Sequence, residues 1–158
     1  FEQMLVGAGA SISSMPSSAI YQAMQTGVLD AANTSSGSFV SYRIYEQVKC
    51  LTAPGAYALW FMYEPILMSK KSWDKLNSAQ QDALKAAGKV AEAYMTEKAA
   101  GLDTKMVDAY TKAGVEVVEM TAEQAAAWKA IAQETSYKIF SEKVEGGKEL
   151  IAKALAVD

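Results

Sequence analysis

Along the longest periodic stretch of this chain, apolar residues return at steps of three and four. Behind Ser78 they fall at Leu84, Ala87, Ala91, Tyr94, Met95, Leu102, Met106 and Tyr110, one stripe of a 3.6-residue period, before Gly114 ends the run. Ser78-Ala79-Gln80-Gln81 reads as a capping box, in which a side-chain oxygen and a glutamine amide satisfy backbone N–H groups reciprocally. The pattern predicts one helix from Ser78 to Ala113, about 54 Å long at 1.5 Å per residue, with Gly88 and Gly101 as places to bend. A helix that long exceeds a small domain and must cross between lobes or between subunits.

Shorter patterns surround it. Pro16 suits a first helical turn, SSAIYQAMQT then puts Ile20, Ala23 and Met24 on one face, and Gly27 reads as the stop. Thr121-Ala122-Glu123-Gln124 is a second capping box, opening a helix with Ala125, Trp128, Ile131 and Ala132 inward that ends before Gly146-Gly147. KELIAKALAV is a short amphipathic helix. Strand signals lie at Gly27–Asp30, a turn into a brief buried strand, and at Val115–Met120, which alternates with one irregularity. AYALWFMYEPILMS reads as one or two strands broken near Glu64-Pro65, since proline cannot donate to a central ladder. FVSYRIYEQVKCL carries both periods, so its type stays open. Helix and strand signals interleave, which predicts an α/β fold.

Composition narrows the chemistry. The 158 residues suffice for one full core, and a net charge of -3 with Arg43 as the single arginine offers no basic stripe for nucleic acid. With no histidine and one cysteine, Cys50, the usual zinc sites, an intrachain disulfide and Ser-His or Cys-His nucleophiles are excluded. Asp30, Glu46 and Glu64 have no evident catalytic partner, so neither an enzyme nor a cofactor is expected. Cys50 reads as a small buried hydrophobe. No apolar run reaches the roughly 18 residues that span a bilayer, and FEQMLVGAG lacks the basic start and apolar core of a leader.

One tract stands apart. GVLDAANTSSGSF, Gly27 to Phe39, runs from a hydrophobic start into small polar residues inside an otherwise apolar sequence. By composition it is a plain surface loop or a crossover offering hydrogen bonds.

Four local patterns, in this order and spacing, resemble one family: GAGASISSMP, IYQAMQTGVLD, YEQVKCLT and MSKKSWDKLNSAQQDALKAAGKVAEAY. From Gly9 through Lys112 the chain is similar to the solute-binding proteins of tripartite ATP-independent periplasmic (TRAP) transporters, the dicarboxylate-binding DctP type. The resemblance implies the C-terminal part of a two-lobed α/β periplasmic binding protein. Such a protein closes on a small organic acid, a carboxylate, and delivers it to the membrane permease subunits. It implies a division into residues 1–32 in the second lobe, 33–69 as crossover segments and 70–158 as the long helix and C-terminal elements. The polar tract then becomes a crossing that lines the cleft and absorbs hinge rotation, with Asn33 and Thr34 as ligand-binding residues. Met15 falls where the family places a pocket-lining side chain. Trp60 and Phe61 fall where a second crossing passes the cleft, one of the two facing the core.

The chain departs from the family at several of these places. Ala31 stands where glycine is usual, Asn33-Thr34-Ser35 where Glu-Asn-Pro or Glu-Trp is common, Ser17 where an aromatic residue often follows the proline, and Ala19 where an acid is frequent. The family's carboxylate-binding arginine belongs upstream of the GAGAS-like start, on a strand absent from these residues. Arg43 matches no ligand position and is expected to be a structural or surface charge. Trp73 and Trp128 are expected to pack. The rival reading is a helical interaction module, a homodimer built through the long helix without any ligand.

Overall fold

The computed structural model of the protein describes every residue except Met62 and Asp158. In chain order the elements are α1 (Glu2–Gly7), α2 (Ser17–Gln25), α3 (Ser36–Ser41), a 3₁₀ turn (Ile44–Glu46), β1 (Cys50–Ala53), α4 (Lys70–Trp73), α5 (Ser78–Ala99), α6 (Leu102–Lys112), β2 (Glu116–Glu119), α7 (Ala122–Ala132), a π turn (Gln133–Tyr137), α8 (Lys138–Lys143) and α9 (Gly147–Leu155). β1 and β2 pair in parallel, with Cys50 opposite Glu116 and Ala53 opposite Glu119. The interleaved α/β order expected from sequence is therefore present.

The core sits where α6 and α3 cover one face of this sheet. Leu51 and Ala53 point inward from β1, and Met106, Tyr110 and Val115 complete the buried cluster, with Phe39, Tyr45, Val48 and Val117 packed around it. Because side chains alternate along a strand, Leu51 and Ala53 take the inward positions and leave Cys50 outside. The expectation of a buried cysteine is thereby corrected: Cys50 is exposed.

Helix ends follow the local chemistry closely. The Thr121 side chain accepts from Gln124 N–H and the Gln124 side chain accepts from Thr121 N–H, the capping box read from sequence. For α5 the box lies one residue earlier than expected, Asn77 with Gln80, because Asn77 carries the capping oxygen. At the end of α2, Gly27 takes φ 72° and a Schellman pair forms, Gly27 N–H to Met24 O at 3.1 Å and Val28 N–H to Ala23 O at 2.8 Å. This explains why the brief strand expected at Gly27–Asp30 is absent. The Val28 and Leu29 N–H groups both go to Ala23 O and are unavailable to a ladder.

Two larger expectations are also corrected. The helix predicted over Ser78–Ala113 is two helices, since the backbone leaves helical geometry at Gly101 (φ −99°, ψ 1°), which becomes the N-cap of α6. The apolar stripe divides with it. Its α6 share, Met106 and Tyr110, is buried, whereas α5 has no buried residue and exposes Leu84, Val90, Tyr94 and Met95. The segment expected to form strands between Ala56 and Ser69 makes no ladder hydrogen bonds among its described residues, and Met62 lies outside them. A strand needs a neighbour, and this segment finds none; Phe61, Tyr63, Ile66 and Leu67 are between 82% and 88% exposed. The inward face read for α7 is present, with Ala132 buried and Ala125, Trp128 and Ile131 half-buried.

Contiguous exposed apolar surface beyond a few hundred Å² drives association. The isolated 158-residue chain is thus expected to self-associate in sedimentation velocity, and the double variant Phe61→Ser, Leu67→Glu to shift towards monomer. A wild-type chain that stays monomeric as its concentration rises would show that this surface carries no such drive.

Candidate functional site

Three loops that are distant in sequence meet beside α1. The polar tract between α2 and α3 supplies Asn33 and Thr34, the extended segment after β1 supplies Trp60, the loop before α2 supplies Met15, and the first residue of α2 is Ser17. Trp60 Nε1–H donates to Asn33 Oδ1 at 3.0 Å. The indole also faces the Phe1 ring, 5.8 Å away between centroids and tilted by 44°. One residue further along the tract, Thr34 and Ser17 share a hydrogen bond between hydroxyls at 3.0 Å. The tract itself ends in the N-cap of α3, where the Ser35 side chain accepts from Ser38 N–H. Ser36 at the start of α3 donates to Asp103 on α6 at 2.5 Å, which fastens this end of the tract to the core helix.

Of the five residues expected from sequence, the structure therefore joins Asn33 with Trp60 directly. Thr34 is linked to Ser17, two positions from the half-buried Met15. Phe61 is 88% exposed and makes no aromatic pair among the described residues, while Trp60 is half-buried. Two participants were missed. Phe1 carries no local signal, because its partner lies far along the chain. Ser17 stood out only as a small polar residue where an aromatic is usual.

Arg43 is committed elsewhere. It pairs with Glu46, whose other oxygen accepts from Tyr21 Oη–H at 2.9 Å. The hydrogen bond that Arg43 donates to Glu46, followed by the charge of that carboxylate, raises the Arg43 pKa above its usual value. The ion pair lies within the 3₁₀ turn and its cap, the Tyr21–Glu46 bond ties that turn to α2, and the exposed Arg43 matches the surface role expected for the single arginine. Trp73 is half-buried, with the Lys85 ammonium over its ring at 5.6 Å.

A concavity of about 370 Å³ opens beyond the C-terminal ends of the two strands, lined by Thr52, Leu59, Val118, Glu119, Gln124 and Trp128 among others. Strand ends of this kind are common ligand positions in α/β folds. Here the Glu119 carboxylate at the rim would repel an organic anion, and Trp128 contributes an apolar wall. No group of His, Cys, Asp and Glu able to hold a metal occurs among the described residues. Nor, among them, is any helix long and apolar enough to cross a membrane.

Known proteins share this architecture. A solved structure of a TRAP periplasmic solute-binding protein from Rhodoferax ferrireducens, with bound malonate, superposes with a TM-score of 0.87 at 39% sequence identity, covering 99% of this chain and 52% of that one. A solute-binding protein of Albidiferax ferrireducens is 42% identical over 153 residues, 97% of this chain and 45% of the relative. An uncharacterized protein of Haemophilus influenzae is 29% identical over 145 residues, 90% of this chain and 42% of its own length. The chain thus spans about half the length of the relatives it matches. Residues 1–143 match the family profile of the bacterial extracellular solute-binding proteins, family 7, and the chain belongs to that DctP family.

Proposed function

We propose that this chain forms one wall of the ligand cleft of a periplasmic solute-binding protein, which captures a small organic acid and hands it to the membrane permease of a TRAP transporter. The observation that carries the reading is the hydrogen bond between Asn33 and Trp60, which brings two expected crossings of the cleft together at one point. The malonate held by the structural relative supports a carboxylate as ligand class. In this reading residues 1–32 belong to the second lobe, 33–69 carry the crossings with Met15, Asn33, Thr34, Trp60 and Phe61 facing ligand, and 70–158 complete the scaffold. Arg43 being held by Glu46, the charge-assisted contact to the carboxylate comes from an arginine outside these residues. The role is transport rather than catalysis. Family membership favours ligand capture over a helical module that binds no solute.

A thermal-shift screen of the protein expressed from its complete gene tests the reading. At least one of malonate, succinate, 2-oxoglutarate, pyruvate or benzoate is expected to raise the melting temperature. Ligand at about 100 times its dissociation constant stabilises by about 2.7 kcal/mol. A response to sugars or peptides with none to any organic acid would sink the assignment.

A further inference from the structure

An indole N–H only donates, so the Asn33 atom facing Trp60 Nε1 at 3.0 Å is the amide oxygen. That single bond settles which way the amide points. With its oxygen turned to Trp60, Asn33 presents its NH₂ on the opposite side, and among the described residues that group has no hydrogen-bond partner. Asn33 is exposed, so the donors face accessible space. Trp60 is itself restrained by the Phe1 ring and half-buried, which makes it a firmer anchor than a free side chain.

Resting on the organic-acid reading above, we infer that Trp60 is a positioning residue that locks the Asn33 amide as a donor, so that this wall of the cleft selects ligands by their acceptor groups and prefers a carboxylate over the matching amide. An unlocked asparagine could flip and offer its oxygen to a ligand N–H, removing the share of the preference that this wall adds to that of the outside arginine. Thr34 adds no comparable bias, because either hydroxyl of the Ser17–Thr34 pair can donate.

Calorimetry on the protein from its complete gene, with the acid and amide pairs malonate and malonamide, succinate and succinamide, and benzoate and benzamide, tests this. Trp60→Phe keeps a ring beside Phe1 but removes the N–H; the preference for acid over amide is expected to fall about tenfold. Asn33→Asp keeps an acceptor for the indole and replaces the donor with an anionic oxygen. Acid binding is expected to weaken about 100-fold or more, because like charges face each other, while amide binding changes less than about tenfold. An unchanged acid-to-amide preference in both variants, whether the affinities stay or fall together, overturns the inference while leaving the organic-acid reading intact. A wild-type protein that binds none of the three acids overturns that reading, and this inference with it.

Discussion

Tyr110→Ala is expected to lower the unfolding free energy by about 3 to 5 kcal/mol. The ring is 1% exposed and stands edge-on to Tyr45, with centroids 5.7 Å apart at 75°, and to Phe39, at 6.1 Å and 84°. It also sits at the last turn of α6, where the Tyr110 carbonyl accepts from Val115 N–H at 3.0 Å, so ring and backbone together steer the chain from α6 into β2. Truncation would leave a cavity between α3, α6 and the sheet. Tyr110→Phe is the control. The hydroxyl has no hydrogen-bond partner among the described residues, so its removal is expected to change stability by no more than about 1 kcal/mol.

Burial, aided by the charge of Tyr45, pushes the Tyr110 phenol above its ordinary pKa of 10.0. For an acid raised in the folded state, the neutral form is favoured by folding. Its contribution is fully present below pH 10 and is lost as pH rises beyond it, because the unfolded tyrosine ionises first. Urea unfolding at neutral pH and at about pH 11 should show this decline in the wild type and less of it in Tyr110→Phe. A Tyr110→Ala loss below about 1 kcal/mol would mean that the aromatic cluster is not the packing centre of this core.

The second large effect concerns binding. The isolated chain is expected to bind the organic acid about 30-fold to several thousandfold more weakly than the protein from its complete gene, corresponding to about 2 to 5 kcal/mol for the loss of one charge-assisted pair. The described residues offer neutral groups, Asn33 bonded to Trp60 and the hydroxyl pair of Thr34 and Ser17, while the single arginine is occupied by Glu46. One cleft wall then supplies orientation and shape without the main anchor. Paired calorimetric titrations, with the acid identified by thermal shift, measure the difference. Comparable affinity in the two proteins would place the anchor within these residues and refute the role given to an outside arginine.

Local signals in this chain were legible wherever the controlling interaction spans three or four residues. The Thr121–Gln124 box and the stop at Gly27 are of this kind, as each depends on side chains and backbone groups within about one helical turn. The same reasoning went wrong where burial had to be inferred from periodicity. A stripe from Leu84 to Tyr110 promises an apolar face, but whether something covers that face depends on elements far away, and α5 receives none among the described residues. The strand signals at Gly27–Asp30 and Ala56–Ser69 failed for a related reason: strand propensity expresses fit to a neighbour, and among the described residues neither segment pairs with a strand.

For the site, the residue types and the polar tract were evident from sequence, as was the exclusion of the usual zinc sites and of Ser-His or Cys-His nucleophiles that follows from having no histidine and one cysteine. Likeness to a family of solute-binding proteins also rested on sequence patterns alone, and residues 1–143 match that family. Only the tertiary structure decided that Asn33 meets Trp60 across 27 positions, that Phe1 closes on the same indole and that Ser17 meets Thr34 across 17. Such contacts have no sequence period, because packing of α3 and α6 on the strands sets where each loop emerges. The direction of the Asn33 amide is the extreme case. Its two faces are identical as letters in a sequence, and they become donor and acceptor only once an indole N–H arrives to claim the oxygen.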